Sequence, residues 1–257
     1  MSMKDKNSFR IWQFTDPHLY ADCQQEYYGV KTDVCLKAIL DHALAANQQA
    51  HLALVTGDLV HDGSQAAYQR LAGYLKTLSA PIHCLAGNHD ELAVMSQVLT
   101  ENKITLHQSV QYKHWQIIML DSTVAGCVGG HISEKELNRL TQILNENPGD
   151  YFLICLHHPP VATGMKWMDE ALLLDNPQAL FKVLDDFENI RCVSWGHVHQ
   201  EFSAQRNGVT LLGTPSTMVQ FKPDCEEFTV DNVAPGYRWF DLYEEGHFKT
   251  GVERVSV

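Results

Sequence analysis

A chain of 257 residues with 45% hydrophobic and 19% charged side chains carries enough apolar material for one large domain with a substantial core, and it lacks the composition of a disordered chain. Its formal net charge of -12 excludes broad attraction to nucleic acid or to an anionic membrane surface, and points to a small substrate. An anionic substrate would then need cations held locally to reverse the field.

The segment 1–9 is polar and of mixed charge and lacks the apolar stretch of a secretory signal. No later segment approaches the roughly 20 apolar residues of a membrane span. The seven cysteines are odd in number, scattered, and without a C-x-x-C pair, so they read as reduced thiols. Together these features predict a cytoplasmic protein.

Short apolar runs of β character at 9–14, 52–56, 82–86, 115–120, 151–156 and 190–195 predict buried strands. Between them, 34–45 places Leu36, Ile39, Leu40, Ala43 and Leu44 on one helical stripe, and 67–78 follows Ser64 as a candidate N-cap. A helix over 133–144 opens with Ser133 and Glu136 at capping-box spacing, and one over 177–187 has proline in its first turn. Strand and helix thus alternate through the first two thirds, which predicts an α/β sandwich with largely buried sheets. After Trp195 the pattern is mostly β: 201–206 and 209–212 flank the hairpin signal Asn207-Gly208, and 237–243 precedes a partner at 248–255. No composition break divides the chain, so 1–257 reads as a single domain, with 213–257 an extension that adds strands and cleft wall. Three longer irregular stretches, 15–30, 159–175 and 221–236, are candidate cleft walls.

The 14 histidines matter for where they stand. The predicted strands run into Asp16-Pro17-His18, Gly57-Asp58, Gly87-Asn88-His89-Asp90, His157-His158-Pro159 and Gly196-His197-Val198-His199. Carboxyl ends of neighbouring strands open into one crevice, so these five tips can meet. Their donors are imidazole nitrogen, carboxylate oxygen and amide oxygen without thiolate, a set suited to manganese, iron or zinc. Gly57, Gly87 and Gly196 would let the backbone turn sharply before each donor.

The ordered set D-x-H, G-D, G-N-H-D, H-H-P and G-H-x-H resembles the calcineurin-like metallophosphoesterase family over about residues 10–252. The resemblance implies a four-layer α/β/β/α sandwich and two divalent or mixed-valence ions (Fe, Mn or Zn) bridged by Asp58. It assigns one ion to Asp16, His18, Asp58 and His199, and the other to Asp58, Asn88, His157 and His197, with His157 preferred to His158. It implies in-line attack on phosphorus by a hydroxide bridging the ions. His89 would contact the phosphate and supply a proton to the leaving oxygen, with Asn88, His18 and His199 also facing substrate. Asp90 is read equally as orienting His89 or as capping a helix that starts near Glu91.

Outside the metal set, Gly29-Val30, 64–68, Leu120-Asp121-Ser122, Pro215-Ser216-Thr217, 220–223 and Ala234-Pro235-Gly236 resemble the bacterial class III 3',5'-cyclic-AMP phosphodiesterases. This implies hydrolysis of cyclic AMP to 5'-AMP without an organic cofactor. The alternative in the same chemistry is a broader phosphodiesterase or phosphomonoesterase for other nucleotide or small esters. A non-catalytic scaffold of this fold is disfavoured, because every expected ligand is present. Tyr27, Tyr28, Phe221 and Lys222 are candidate nucleoside contacts, or else ordinary core and surface groups. The 159–175 stretch, with Met165, Trp167 and Met168, reads as a lid, a packing element or a contact in a homodimer.

Overall fold

Alternating apolar runs of the sequence become two stacked sheets in the computed structural model, which describes residues 8–46, 48–169 and 172–257. The first half gives β1 (Phe9–Phe14), the small hairpin β2 (Glu26–Tyr27) and β3 (Val30–Lys31), α1 (Thr32–Ala45), β4 (Leu52–Thr56), α2 (Gln65–Leu75), β5 (Ile82–Leu85), α3 (Leu92–Glu101) and β6 (Thr105–Leu106). There follow β7 (Val110–Tyr112), β8 (Trp115–Met119), α4 (Glu134–Glu146), β9 (Tyr151–Cys155), the single turn α5 (Lys166–Asp169), α6 (Pro177–Asp185) and β10 (Ile190–Trp195). The β-rich end comprises β11 (Phe202–Arg206), β12 (Val209–Gly213), β13 (Gln220–Phe221), β14 (Val230–Asp231), β15 (Gly236–Leu242) and β16 (Phe248–Arg254).

One sheet has the order β16-β15-β1-β4-β5-β6, the other β11-β12-β10-β9-β8-β7. In each, four neighbouring strands are parallel, β1-β4-β5-β6 and β12-β10-β9-β8. The remaining strands, β15, β16, β11 and β7, join antiparallel on the flanks.

The two-residue period of a strand sorts side chains into layers. Ile11, Leu52, Leu54, Ile117, Met119 and Leu153 fill the space between the sheets. Their neighbours Trp12, Ala53 and Val55 pack outward under α1, α2 and α3, while Ile118, Phe152 and Ile154 pack outward under α4 and α6. The result is the four-layer α/β/β/α sandwich. The segment after residue 213 is tied into it, since β15 lies beside β1 in the first sheet.

All six predicted strands form, three of them ending one residue earlier than the apolar run because the last residue already belongs to a site loop. Ser64 and Ser133 are N-caps, accepting from Ala67 N at 3.3 Å and Glu136 N at 3.2 Å. The reciprocal arm of the capping box is absent: the Glu136 carboxylate instead accepts from Arg139 and from Asp121 N. Asn207 and Gly208 both have positive φ, 49° and 84°, as the tight turn between β11 and β12 requires.

A polar strut joins the sheets beneath their carboxyl ends. Gln13 of β1 donates from Nε2 to Thr56 Oγ1 at 3.0 Å, and its Oε1 accepts from Ser194 Oγ at 2.7 Å and Thr214 Oγ1 at 3.0 Å. Arg238 of β15 donates to the Gly213 carbonyl at 2.9 Å. Gln13 is fully buried, so its truncation would remove these bonds and leave Thr56, Ser194 and Thr214 only longer contacts of 3.3–3.4 Å. Gln13→Ala is expected to lower stability by about 1–3 kcal/mol. Chemical denaturation checks this, and an unchanged midpoint and slope would contradict the strut's role.

Candidate metal centre

The parallel strands of both sheets end on the same side, and their loops are bonded to one another before any side chain is considered. Asp16 N donates to the Gly57 carbonyl at 3.1 Å and His18 N to the Asp58 carbonyl at 3.0 Å, which zips the tips after β1 and β4 together. Ser216 Oγ donates to the Asp16 carbonyl at 2.8 Å, and His197 N donates to the Asp16 carboxylate at 3.1 Å, which brings in the second sheet. His89 N donates to Asp58 Oδ1 at 2.9 Å. Asp16, His18, Asp58, His197 and His199 all hold left-handed backbone conformations, with φ between 44° and 65°. Such conformations are costly for non-glycine residues and persist where the surroundings over-determine them.

The three glycines matter in two ways. Gly57 has φ of 98°, as a sharp turn demands, and a Cβ there would lie 2.1 Å from His157 Nδ1. Gly87 and Gly196 have no positive φ, so the turn expected there is not the reason for glycine. Their need is space: an added Cβ would stand 2.2 Å from Asp58 Oδ1 and 2.0 Å from Thr15 Oγ1.

The five tips bring together every predicted metal-site residue. Asp58 Oδ2 lies 3.4 Å from both His18 Nε2 and His157 Nε2. His18 Nε2 is 3.2 Å from His199 Nε2, which is 3.4 Å from Asp16 Oδ1. On the other side His157 Nε2 is 3.2 Å from Asn88 Oδ1 and 3.2 Å from His197 Nδ1. Asp16, His18, Asp58, His157, His197 and His199 are buried, while Asn88 and His89 are half-buried.

Backbone carbonyls set which nitrogens face inward. His157 Nδ1 donates to the Thr56 carbonyl at 2.9 Å and His199 Nδ1 to the Val219 carbonyl at 3.1 Å, so both Nε2 lone pairs face the cluster. His197 Nε2 is buried without a hydrogen-bond partner. Converging lone pairs and a buried, unpartnered imidazole nitrogen are the chemistry that borderline-hard divalent ions satisfy, and the residues fit such ions.

Burial alone would raise the Asp58 carboxyl, but His157 and His18 outweigh it and hold it well below the usual carboxylate range. Burial likewise opposes charge on His157, yet Asp58 and Asp16 pull it up to about 9, so its Nε2 lone pair becomes available to an ion only as the Nε2 proton leaves. Burial holds His18 and His197 well below the ordinary imidazole value. Asp58 is therefore the anionic hinge of a set of neutral or carboxylate-paired donors.

His158 stands apart from the cluster in its bonding. Its Nε2 donates to the Val128 carbonyl at 3.0 Å, and its Nδ1 accepts from Ser122 Oγ at 2.8 Å. Burial and the adjacent His157 push it down to about 3, and with both nitrogens engaged it has no lone pair to offer.

Asp90 fills neither role expected of it. It accepts from Gly87 N at 2.9 Å, Leu59 N at 3.1 Å, Val60 N at 3.2 Å and Tyr68 Oη at 2.9 Å, and so clamps the loops carrying Asp58 and Asn88. Burial and the nearby Asp58 charge push its carboxyl up to about 7. Glu91, not Asp90, occupies the N-cap position of α3, and it makes no side-chain cap bond. His61 is a site residue outside the sequence motifs. Its Nδ1 lies 3.2 Å from His18 Nδ1 and its ring stacks on His89 at 4.5 Å. Its one signal was position, three residues after Asp58.

Above the cluster is a cavity of about 170 Å³, and all three irregular stretches line it, through Tyr27 and Tyr28, Trp167 and Met168, and Phe221 and Phe228. His18, Asp58, Asn88, His89, His197 and His199 form the rest of its surface with Val128 and Leu172. Lys222 is exposed and takes no part in the lining.

The profile of the calcineurin-like phosphoesterase family matches residues 9–201. A Pseudomonas aeruginosa protein named 3',5'-cyclic adenosine monophosphate phosphodiesterase CpdA is 39% identical over 249 residues, covering 97% of this chain and 91% of that one. The Escherichia coli K12 protein of the same name is 39% identical over 248 residues, covering 96% and 90%. In architecture the chain is similar to a dimetal phosphatase from Danio rerio, with a TM-score of 0.65 at 14% identity, covering 98% of this chain and 100% of that one. A profile match across most of the chain and relatives alike along nearly its full length agree with the strand-end motifs, and the chain belongs to the calcineurin-like phosphoesterase family.

Proposed function

We propose that this protein is a metal-dependent phosphodiesterase that hydrolyses 3',5'-cyclic AMP to 5'-AMP. The observation that carries the reading is the placement of Asp58 Oδ2, 3.4 Å from imidazoles of both halves of the cluster, in a chain 39% identical to two proteins named for this activity. On this reading Asp16, His18, Asp58 and His199 hold one ion, and Asp58, Asn88, His157 and His197 the other. Two such ions, of iron, manganese or zinc, supply Lewis acidity at the phosphoryl oxygen and lower the pKa of the attacking water.

The chain's own part is to orient and exclude. No lysine or arginine lines the cavity among the described residues, so the protein itself brings no fixed positive charge to a phosphate anion. Asp58 is held by one oxygen to His89 N, which keeps the other turned toward His18 and His157. His89 Nδ1 faces the His61 carbonyl at 3.4 Å, so in the imidazolium form the second proton sits on Nε2, and that proton goes to the departing 3' oxygen. Carbon-rich walls above the cluster keep bulk water from the reacting ester. The whole chain acts as one domain, with the segment after residue 213 supplying Phe221 and Phe228 to the wall. All seven cysteines are free, which supports a reducing compartment, the cytoplasm. No helix among the described residues is long and apolar enough to cross a membrane.

Three measurements test the reading. Asp58→Ala is expected to lower cyclic AMP turnover by more than about 100-fold, beyond the loss from even an outer partner of a metal ligand, and to reduce bound metal. Normal turnover with full metal content would refute the bridging role. His89→Ala is expected to cost about 10²–10⁴ in kcat while metal content stays at the wild-type level, since a proton donor is lost and no ligand is. Depleted metal in that variant would make His89 a ligand instead. Chelation should abolish turnover and lower Tm, and manganese, iron or zinc should restore both, because ions that bind only the folded state stabilise it. An unchanged Tm with full activity in chelator would contradict the assignment.

A further inference from the structure

The irregular stretches around the cavity bring five aromatic rings into one continuous surface. Phe221 lies flat against the His199 ring at 4.0 Å with an 8° interplanar angle, and Tyr27 lies against His18 at 5.4 Å and 9°. Phe228 then meets Phe221 at 5.1 Å, Trp167 at 5.2 Å and Tyr28 at 4.9 Å. The surface runs from the imidazoles of the metal centre outward to solvent, where Tyr28 is 56% and Phe228 38% exposed. Grouped aromatic faces left in water at the mouth of a pocket mark a binding surface more than a packing need. The Trp167 indole N–H is buried without a hydrogen-bond partner beneath these rings.

A nucleoside whose phosphate sits at the centre can extend in two directions. Beyond Asn88 and His89 lies a groove of about 510 Å³ whose lining mixes the acidic Asp62, Glu91 and Asp121 with small and aliphatic residues such as Leu92 and Val124, with no Phe, Tyr or Trp. The opposite direction offers π faces and, outside the centre itself, no charged side chain. A heterocyclic base is flat, polarisable and uncharged, and stacking on aromatic side chains is the interaction open to any such ring.

We propose that the aromatic wall is the nucleobase subsite, with a purine ring stacked on Phe228 and Tyr28. The proposal rests on the reading of the site as one for cyclic nucleotides, and it adds how the base is selected. Selection is by the face of the ring, because the wall carries few groups that could read the hydrogen-bonding pattern of its edge.

The test compares equilibrium binding of 5'-AMP and of ribose 5-phosphate to the metal-loaded protein, two ligands that share the phosphate and sugar and differ by the base. The wild type is expected to bind AMP about 30-fold more tightly, and Tyr28→Ala and Phe228→Ala each to lower that ratio about five-fold, with the double variant close to equal affinity. A merely structural role for the two rings would weaken both ligands alike and leave the ratio intact. A wild-type ratio near one, or a ratio that survives the double substitution, would overturn the proposal. Cyclic AMP hydrolysis is scored separately, so a retained preference for AMP without turnover would support the subsite while retiring the phosphodiesterase reading.

Discussion

The structure depends on one constraint: Asp58, a buried carboxylate, is pinned by its Oδ1 to the backbone of the neighbouring loop while its Oδ2 lies 3.4 Å from two imidazoles that belong to different sheets. An unpaired buried charge is expensive, and pairing it with positioned nitrogen donors turns that expense into a site. Everything around Asp58 serves this placement. Asp90 clamps its loop to the loop of Asn88, the Gly57 and Asp58 carbonyls are bonded to the tip of β1, and Gly57 and Gly87 are small so that His157 and Asp58 can come close.

The architecture explains why so much ionisable chemistry can be buried in one place. Each six-stranded sheet directs the loops of its four parallel strands to one side, and the layer between the sheets is filled largely by apolar residues such as Ile11, Leu54, Ile117 and Leu153. The Gln13 strut marks the boundary, where hydroxyls of both sheets begin to replace carbon just below the candidate metal centre. Backbone strain is concentrated at the same level, with five left-handed non-glycine residues among the predicted ligands. Helix layers and interstrand ladders hold those conformations in place, and the site inherits its rigidity from them.

Much of this was legible in the chain itself, and the reason is physical. Strands buried on both faces appear as mostly apolar runs, so the positions where the runs stop are visible, and at five stops the next residues are the predicted metal donors. Capping serines and Asn207-Gly208 are likewise local signals, readable because the interaction lies within a few residues. Asp90 was not readable, because its partners are backbone amides of a loop some 30 positions away as well as its own. The same holds for His61, whose contacts with His18 and His89 are made only by the fold. Short β6 and β7 carry too few residues for any periodicity, and α3 was foreseen only at its start. The three irregular stretches were foreseen as walls, but that Phe228 and Trp167 would join Tyr28 there, and Lys222 would not, is decided by tertiary packing.

The most direct test is anomalous diffraction from crystals of the protein reconstituted with manganese or zinc. Two peaks are expected, one among Asp16, His18 and His199 and one among Asn88, His157 and His197, with the Asp58 carboxylate shared between them. A lone peak with Asp58 outside coordination distance, or ions bound at another place on the molecule, would contradict the account.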